Sequence, residues 1–327
     1  MRPTERSRAP DLDVVLRETN RLLAANGLAE CEAIERADDQ DTANVNLIGF
    51  AGEERYAIKI RVRDLDTMAR QRCVANVLRQ RTGLPIPEHL CHSDEDDELP
   101  LVVMEHMPGE QLRLLFQSAS AAQTQALAHD WGRCIARFHG ASIEPNDCGG
   151  WPDLAVAHAG YLDWQRTKIR DTIGLLGTLG WPAQEVSVVR AYLTERTNSF
   201  HEPAAPGLMK RDQGPRDALG LLEPEPHVSA LLDWELVSPG DTLWEIVDVF
   251  VMLYVGGLGR VWPAFREGYE RESGAQIQRG EPLEYYTLVR SLIALTWRDQ
   301  DAARREKARE LSRRLLDGES PVANPAG

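Results

Sequence analysis

Leu12, Val15, Leu16, Leu22 and Leu23 recur at helical spacing, and the pattern predicts a first helix over 11–27, closed by Gly27. Shorter apolar runs follow. They predict strands over 31–36, 45–50 and 55–62, the last two joined by the hairpin-like turn Ala51-Gly52-Glu53-Glu54. A helix is expected over 67–80, ended by Gly83, and then an extended connector, Leu84-Pro85-Ile86-Pro87, because each proline disfavours the α region at the residue before it. An apolar strand is expected over 100–104. After Pro108-Gly109 the periodicity changes. Leu127, Trp131, Cys134, Ile135 and Phe138 mark one face of a helix running to Gly140. A loop over 141–153 precedes helices over 161–179 and 183–197. A short β section at 208–209, 219–222 and 228–232 gives way to helices from about 243 to 316. The pattern therefore predicts an α+β chain in two parts. A small β-rich N-terminal lobe spans 1–107, and a larger helical C-terminal lobe spans 108–327 with a helical insert at 141–205.

Composition narrows this picture. The 327 residues carry 51 acidic against 37 basic side chains, a net charge of −14. Non-specific nucleic-acid binding needs clustered Lys and Arg, so a nucleic-acid partner is not expected. The negative field is compatible with a cationic ligand. The most apolar run, 246–258, contains Asp248 and two glycines and is too short to span a bilayer, so no membrane partner is expected. No apolar stretch follows the first residues in the manner of a signal peptide, and the expected compartment is the cytoplasm. The five cysteines are scattered without a C-x-x-C pair, which predicts reduced thiols and no zinc site.

The chemistry gathers in three segments. Neither G-x-x-x-x-G-K-[ST] nor G-x-G-x-x-G occurs, so a Walker or Rossmann site is not expected. In Tyr56-Ala57-Ile58-Lys59-Ile60 a lysine stands in a strand after Ala-Ile, as in V-A-I-K, where it reaches nucleotide phosphates; otherwise it would be an ordinary solvent-facing strand lysine. In Lys210-Arg211-Asp212-Gln213-Gly214-Pro215-Arg216-Asp217 two carboxylates lie five residues apart after an apolar strand. Phosphoryl transfer needs one carboxylate near the acceptor hydroxyl and oxygen ligands on Mg²⁺, although a polar turn built on Gly214-Pro215 would look similar. In Leu231-Leu232-Asp233-Trp234-Glu235 an apolar strand ends in a carboxylate, which calls for a metal or a salt bridge. Lys, then Asp-x-x-x-x-Asp, then a strand-ending Asp is far more specific than any one piece.

With these segments in place, the chain resembles the aminoglycoside phosphotransferase-like, or choline-kinase-like, family. The hinge-like stretch Leu101-Val102-Val103-Met104-Glu105-His106-Met107-Pro108-Gly109, the R-F-H-G ending of the helix at 131–140, and Asp233-Trp234-Glu235 followed by Gly240-Asp241 carry the resemblance further. It implies a bilobal protein-kinase-like fold. It also implies use of ATP, with GTP possible, and of Mg²⁺, to phosphorylate a hydroxylated, cationic small-molecule acceptor. Lys59 would hold phosphates, and Glu105 and Met107 would offer main-chain groups to the base. Asp212 would accept the acceptor's proton, Asp217 and Asp233 would ligate the metal, and Asp241 would support the loop. The phosphate loop would fall at 38–44. The resemblance places the acceptor beside the insert, with Asp163, Trp164, Trp234, Glu235, Glu245, Asp299 and Asp301 as candidates; taken singly, each reads more readily as a solvated helix face or a core residue. This chain has Lys210 where the family has His, Asp217 where it has Asn, and no Glu in the helix at 67–80, where Gln71 stands near the expected place. The alternative is a kinase-like protein that binds a nucleotide or metabolite without transferring phosphate.

Overall fold

The computed structural model describes residues 11–37, 44–61, 68–93, 99–142, 148, 154–196, 203–211, 213–234, 236–296 and 301–323. The chain divides into two compact units, Met1–Pro108 and Gly109–Gly327.

The first unit opens with α1 (Leu12–Ala25), whose N-terminus is capped by the Asp11 carboxylate accepting from the Asp13 amide. Five strands follow: β1 (Ala33–Arg36), β2 (Asn44–Ala51), β3 (Glu54–Arg61), β4 (His89–His92) and β5 (Leu101–Glu105). They form one antiparallel sheet in the order β1-β2-β3-β5-β4, with α2 (Met68–Thr82) between β3 and β4. The β2–β3 hairpin turns at Gly52, whose φ of 61° suits a residue without a Cβ. Strand period decides where β3 points its side chains. Tyr56, Ile58 and Ile60 join Val15, Leu22, Leu23, Leu47 and Val103 in the core. Lys59 lies between them in register, so its side chain leaves by the other face.

His89, unassigned in the sequence pattern, is almost fully buried in β4, and its Nδ1 finds no hydrogen-bond partner. Burial pushes its imidazole down to about 4, with help from the positive charges of Lys59 and Arg72 and from His92. The folded pKa lies below the ordinary 6.5, so the unfolded chain binds more protons between those values. Stability from neutral His89 is complete above pH 6.5 and is lost as pH falls toward 4, by roughly 3 kcal/mol in all. Thermal midpoints measured from pH 7.5 to 4.5 should fall on the acid side, and His89→Gln should flatten that limb.

The second unit is mostly helical. After β6 (Glu110–Gln111) and α3 (Leu112–Ser118), a capping box between Ser120 and Gln123 starts α4 (Ala121–His139). The long α5 (Leu154–Leu176) and α6 (Ala183–Arg196) make up the insert. Four short strands follow: β7 (Pro206–Met209), β8 (Ala218–Leu221), β9 (His227–Leu231) and β10 (Ser238–Asp241). β7 pairs with β10, and β8 lies between β6 and β9. Then come α7 (Thr242–Val255), α8 (Trp262–Ser273), α9 (Glu281–Ala294) and α10 (Ala302–Leu316). α4 and α8 cross at two glycines. A Cβ on Gly132 would lie 2.0 Å from the Phe265 carbonyl oxygen, and one on Gly268 1.9 Å from that of His129. Gly160 and Gly174 of α5, by contrast, have open space where a Cβ would go. Around the α4–α8 crossing pack Phe116, Trp131, Trp262 and Phe265, with Trp131 edge-on to Phe265 at 4.8 Å.

Cys31, Cys91 and Cys134 are free and buried, but Cys73 and Cys148 are disulfide-bonded, which corrects the expectation of reduced thiols throughout. Disulfide formation depends on proximity in the fold, which sequence spacing does not report. Among the described residues, no helix is long and apolar enough to cross a membrane.

Candidate active site

In the first unit, Lys59 is 8% exposed, which corrects the reading of a solvent-facing strand lysine. Gln71 is buried on α2, and its Oε1 lacks a hydrogen-bond partner. Glu105 ends β5; its amide donates to the Glu88 carbonyl at 2.9 Å. Its carboxylate pairs with Arg79 and accepts from the Glu88 amide at 3.2 Å. Its main-chain nitrogen is therefore already engaged within the protein. Met107 follows in the half-buried extended stretch after the strand. The implied phosphate loop lies, except for Asn44, outside the described residues.

In the second unit, β7 delivers the chain into a loop held from beneath. Glu245, in the first turn of α7, is fully buried, and its Oε2 accepts from the amides of Lys210 at 2.5 Å and Arg211 at 3.2 Å. Glu245 is thus not an acceptor-binding residue; its carboxylate belongs to the loop's own backbone. His139, at the end of α4, presents Nε2 at 3.6 Å from Glu245 Oε1, and its Nδ1 meets the Tyr269 hydroxyl at 3.0 Å. Arg211 has a φ of 75°, a backbone turn immediately before Asp212. Asp212 itself lies outside the described residues.

The loop closes on Asp217. Its amide donates to the Gly214 carbonyl at 3.0 Å, and its Oδ2 accepts from the Gly214 amide at 3.0 Å. The Asp217 carbonyl accepts from the Leu232 amide at 2.7 Å, continuing the β8–β9 ladder by one rung. Asp233 follows Leu232, so both acids stand at the same end of that hairpin. Asp233 has a φ of 67°. Left-handed backbone is uncommon for a residue with a Cβ, and such strain gathers at functional positions. Asp241 is fully buried below; it caps α7 and accepts from the amides of Ala204, Ala205 and Leu243 and from the Tyr286 hydroxyl. Burial first, and then the neighbouring Asp241, raise the Tyr286 phenol, which keeps it a donor.

Over residues 34–284 the sequence matches the phosphotransferase enzyme family. The chain belongs to that family. Among solved structures, a thermostable mutant of the aminoglycoside phosphotransferase APH(4)-Ia, in a ternary complex with ADP and hygromycin B, is 14% identical; the match covers 91% of this chain and 97% of that one, with a TM-score of 0.58. The GDP and kanamycin complex of APH(2")-IIia is 14% identical over 93% of this chain and 100% of that one, at 0.60. The streptomycin–ATP complex of APH(2")-IIa is 12% identical over 94% and 99%, at 0.57. At these identities the likeness establishes the fold, the α+β kinase-like architecture of the aminoglycoside phosphotransferases. No curated protein sequence matches the chain.

The remaining residues expected around the acceptor of this phosphotransferase are scattered in role. Trp234 is 2% exposed; its Nε1 donates to the Leu231 carbonyl and its ring packs edge-on against Phe138. It is a core residue and has no free face for a ligand. Asp301 caps α10, accepting from the Arg304 amide. Asp163 is exposed on α5 and pairs with Arg166 at 2.7 Å. Trp164 is 41% exposed and stacked on Tyr161, which carries it on the insert as an open aromatic face. Glu235 and Asp299 lie outside the described residues. Sequence reading missed Glu245's true role, because an acid in the first turn of an apolar helix looks like a cap or a site residue. Only the fold brings it under a loop 35 residues away.

Proposed function

We propose that the protein is an ATP- and Mg²⁺-dependent phosphotransferase that moves the γ-phosphoryl group to a hydroxyl of a polar, cationic small molecule, an antibiotic or related metabolite. The observation that carries this reading is the placement of Asp217 and Asp233 at the same end of the β8–β9 hairpin, next to a loop whose backbone is anchored by Glu245.

The donor set suits a hard divalent cation. Asp217 and Asp233 are partly exposed carboxylates, and carboxylate oxygens are ligands that Mg²⁺ takes. Mg²⁺ is commonly held by one or two carboxylates together with the nucleotide's phosphates. When bound, Mg²⁺ would neutralise charge on the phosphates. The protein's own part is then positional. Asp212, as base, would accept the proton of the acceptor hydroxyl as its oxygen bonds to the γ-phosphorus and the bond to the β-phosphate oxygen breaks, leaving ADP. Lys59, on a rigid strand, would hold the phosphates. Gln71, with its unpartnered Oε1, is a candidate to help orient that region of the site. Trp164 offers an aromatic face and Asp163 a carboxylate for a cationic acceptor.

Calorimetric titration with ATP and GTP, with and without Mg²⁺, tests the reading together with a γ-phosphate transfer assay against aminoglycosides, amino alcohols and sugars. The expected result is Mg²⁺-dependent nucleotide binding and acceptor-dependent transfer. Nucleotide binding without transfer to any acceptor would favour the non-transferring alternative. No nucleotide binding at millimolar concentration would overturn the phosphotransferase reading and leave, of the alternative, only a protein that binds some other metabolite.

A further inference from the structure

Lys210 and Asp217 stand at the two ends of the catalytic loop, one following β7 and the other preceding β8. Their side chains meet, with the Lys210 Nζ 3.8 Å from Asp217 Oδ2. The two ends differ in exposure. Lys210 is 1% exposed, one of the largest fully buried side chains in the molecule, whereas the Asp217 side chain is 22% exposed. A buried ammonium is costly without a counter-charge, and lysine is seldom found so deep unless paired. Its main-chain amide is fixed by Glu245, so the side chain has a fixed root. Asp217 is fixed in turn by the Gly214 amide on the same oxygen that faces Lys210.

In sequence, Lys for His at 210 and Asp for Asn at 217 look like two separate departures from the family pattern. In space they are adjacent, and their charges are opposite.

We propose that Lys210 is the built-in counter-charge of Asp217, and that this pairing sets how strongly the Asp217 carboxylate attracts a cation. The metal-ligand role of Asp217 rests on the phosphotransferase reading; the pairing itself does not. Lys210 is a positioning residue in this account. Buried as it is, it acts through Asp217, cancelling negative charge that this carboxylate would otherwise present to a cation.

The test is a cycle of four full-length proteins: wild type, Lys210→Met, Asp217→Asn and the double variant. Thermal midpoints are read first in EDTA without nucleotide, where no metal takes part. Lys210→Met is expected to lower the midpoint by about 5–10 °C. Asp217→Asn is expected to lower it as well, and the double variant should lose clearly less than the sum of the two. Additive losses would overturn the pairing. If Lys210→Met does not fold, the double variant is expected to fold; a double variant that also fails would overturn the proposal.

The second reading is the Mg²⁺ concentration that half-saturates nucleotide binding. A counter-charge restrains Asp217, so Lys210→Met should bind Mg²⁺ about tenfold more tightly, and Asp217→Asn about tenfold more weakly. A lysine with a purely structural role would leave Mg²⁺ binding unchanged or weaken it, and either result would overturn the charge-balancing role. If wild type binds no nucleotide, the phosphotransferase reading falls, while the coupling is still decided by the metal-free midpoints.

Discussion

Asp233→Ala should bind nucleotide no better with Mg²⁺ than without it, and its kcat/KM should fall by about a thousandfold or more, the scale of losing a preorganised charge at a reacting phosphate. Asp233→Gly should be equally inactive. The two variants separate in stability. Both lack the carboxylate, so whatever the carboxylate holds cancels between them. They differ only in the backbone, where a φ of 67° penalises alanine and suits glycine. Asp233→Gly is expected to be about 1 kcal/mol more stable than Asp233→Ala, read as a thermal midpoint some 2–4 °C higher. Equal stability of the two would show that the left-handed turn is not retained once the carboxylate is gone. Retained Mg²⁺-dependent turnover in either would sink the metal-ligand assignment.

Asp241→Asn should be the most destabilising of the conservative changes near the site. The carboxylate accepts four hydrogen bonds, from the Ala204, Ala205 and Leu243 amides and the Tyr286 hydroxyl. An amide keeps one oxygen but turns the other end into a donor that faces donors, in a place with no water access. Losing a buried charged acceptor in this way costs about 3–5 kcal/mol, a drop of roughly 10 °C in the thermal midpoint. Tyr286→Phe removes one of the four bonds and should cost about 1–2 kcal/mol. Chemical denaturation of both variants checks the ranking. A Tyr286→Phe loss as large as that of Asp241→Asn would mean that the hydroxyl, not the main-chain amides, dominates the carboxylate's environment.

Local pattern carried the architecture well where side-chain period was clean. The β2–β3 hairpin around Gly52 and the α4 stripe through Trp131 and Phe138 lie where their spacing predicts. β4 escaped because His89 and His92 read as polar, although His89 is held neutral and buried. β10 escaped because Ser238-Pro239-Gly240-Asp241 is turn composition, made a strand only by pairing with β7. For the candidate site the sequence offers types and order: a strand lysine, two loop acids and a strand-ending acid. What could not be read was which polar side chains serve the protein itself. Glu245, Asp241 and Trp234 stand among the most suggestive residues of the sequence, and each is consumed by contacts with segments distant in the chain. The charge pair of Lys210 and Asp217 belongs to the same class, because spacing along a loop does not say which of its side chains meet.

The glycines divide the second unit into ground that tolerates change and ground that does not. At the α4–α8 crossing one added methyl must push a helix off its neighbour, and α4 ends in the histidine beneath the loop anchor. A library aimed at altering acceptor range should leave Gly132 and Gly268 alone. It can begin instead by changing Gly160 and Gly174 to alanine, each gaining up to about 1 kcal/mol of helix stability. That reserve lies on the helix that also carries Trp164 and Asp163. The segment proposed to meet acceptors therefore has room to absorb destabilising mutations on the way to new ones.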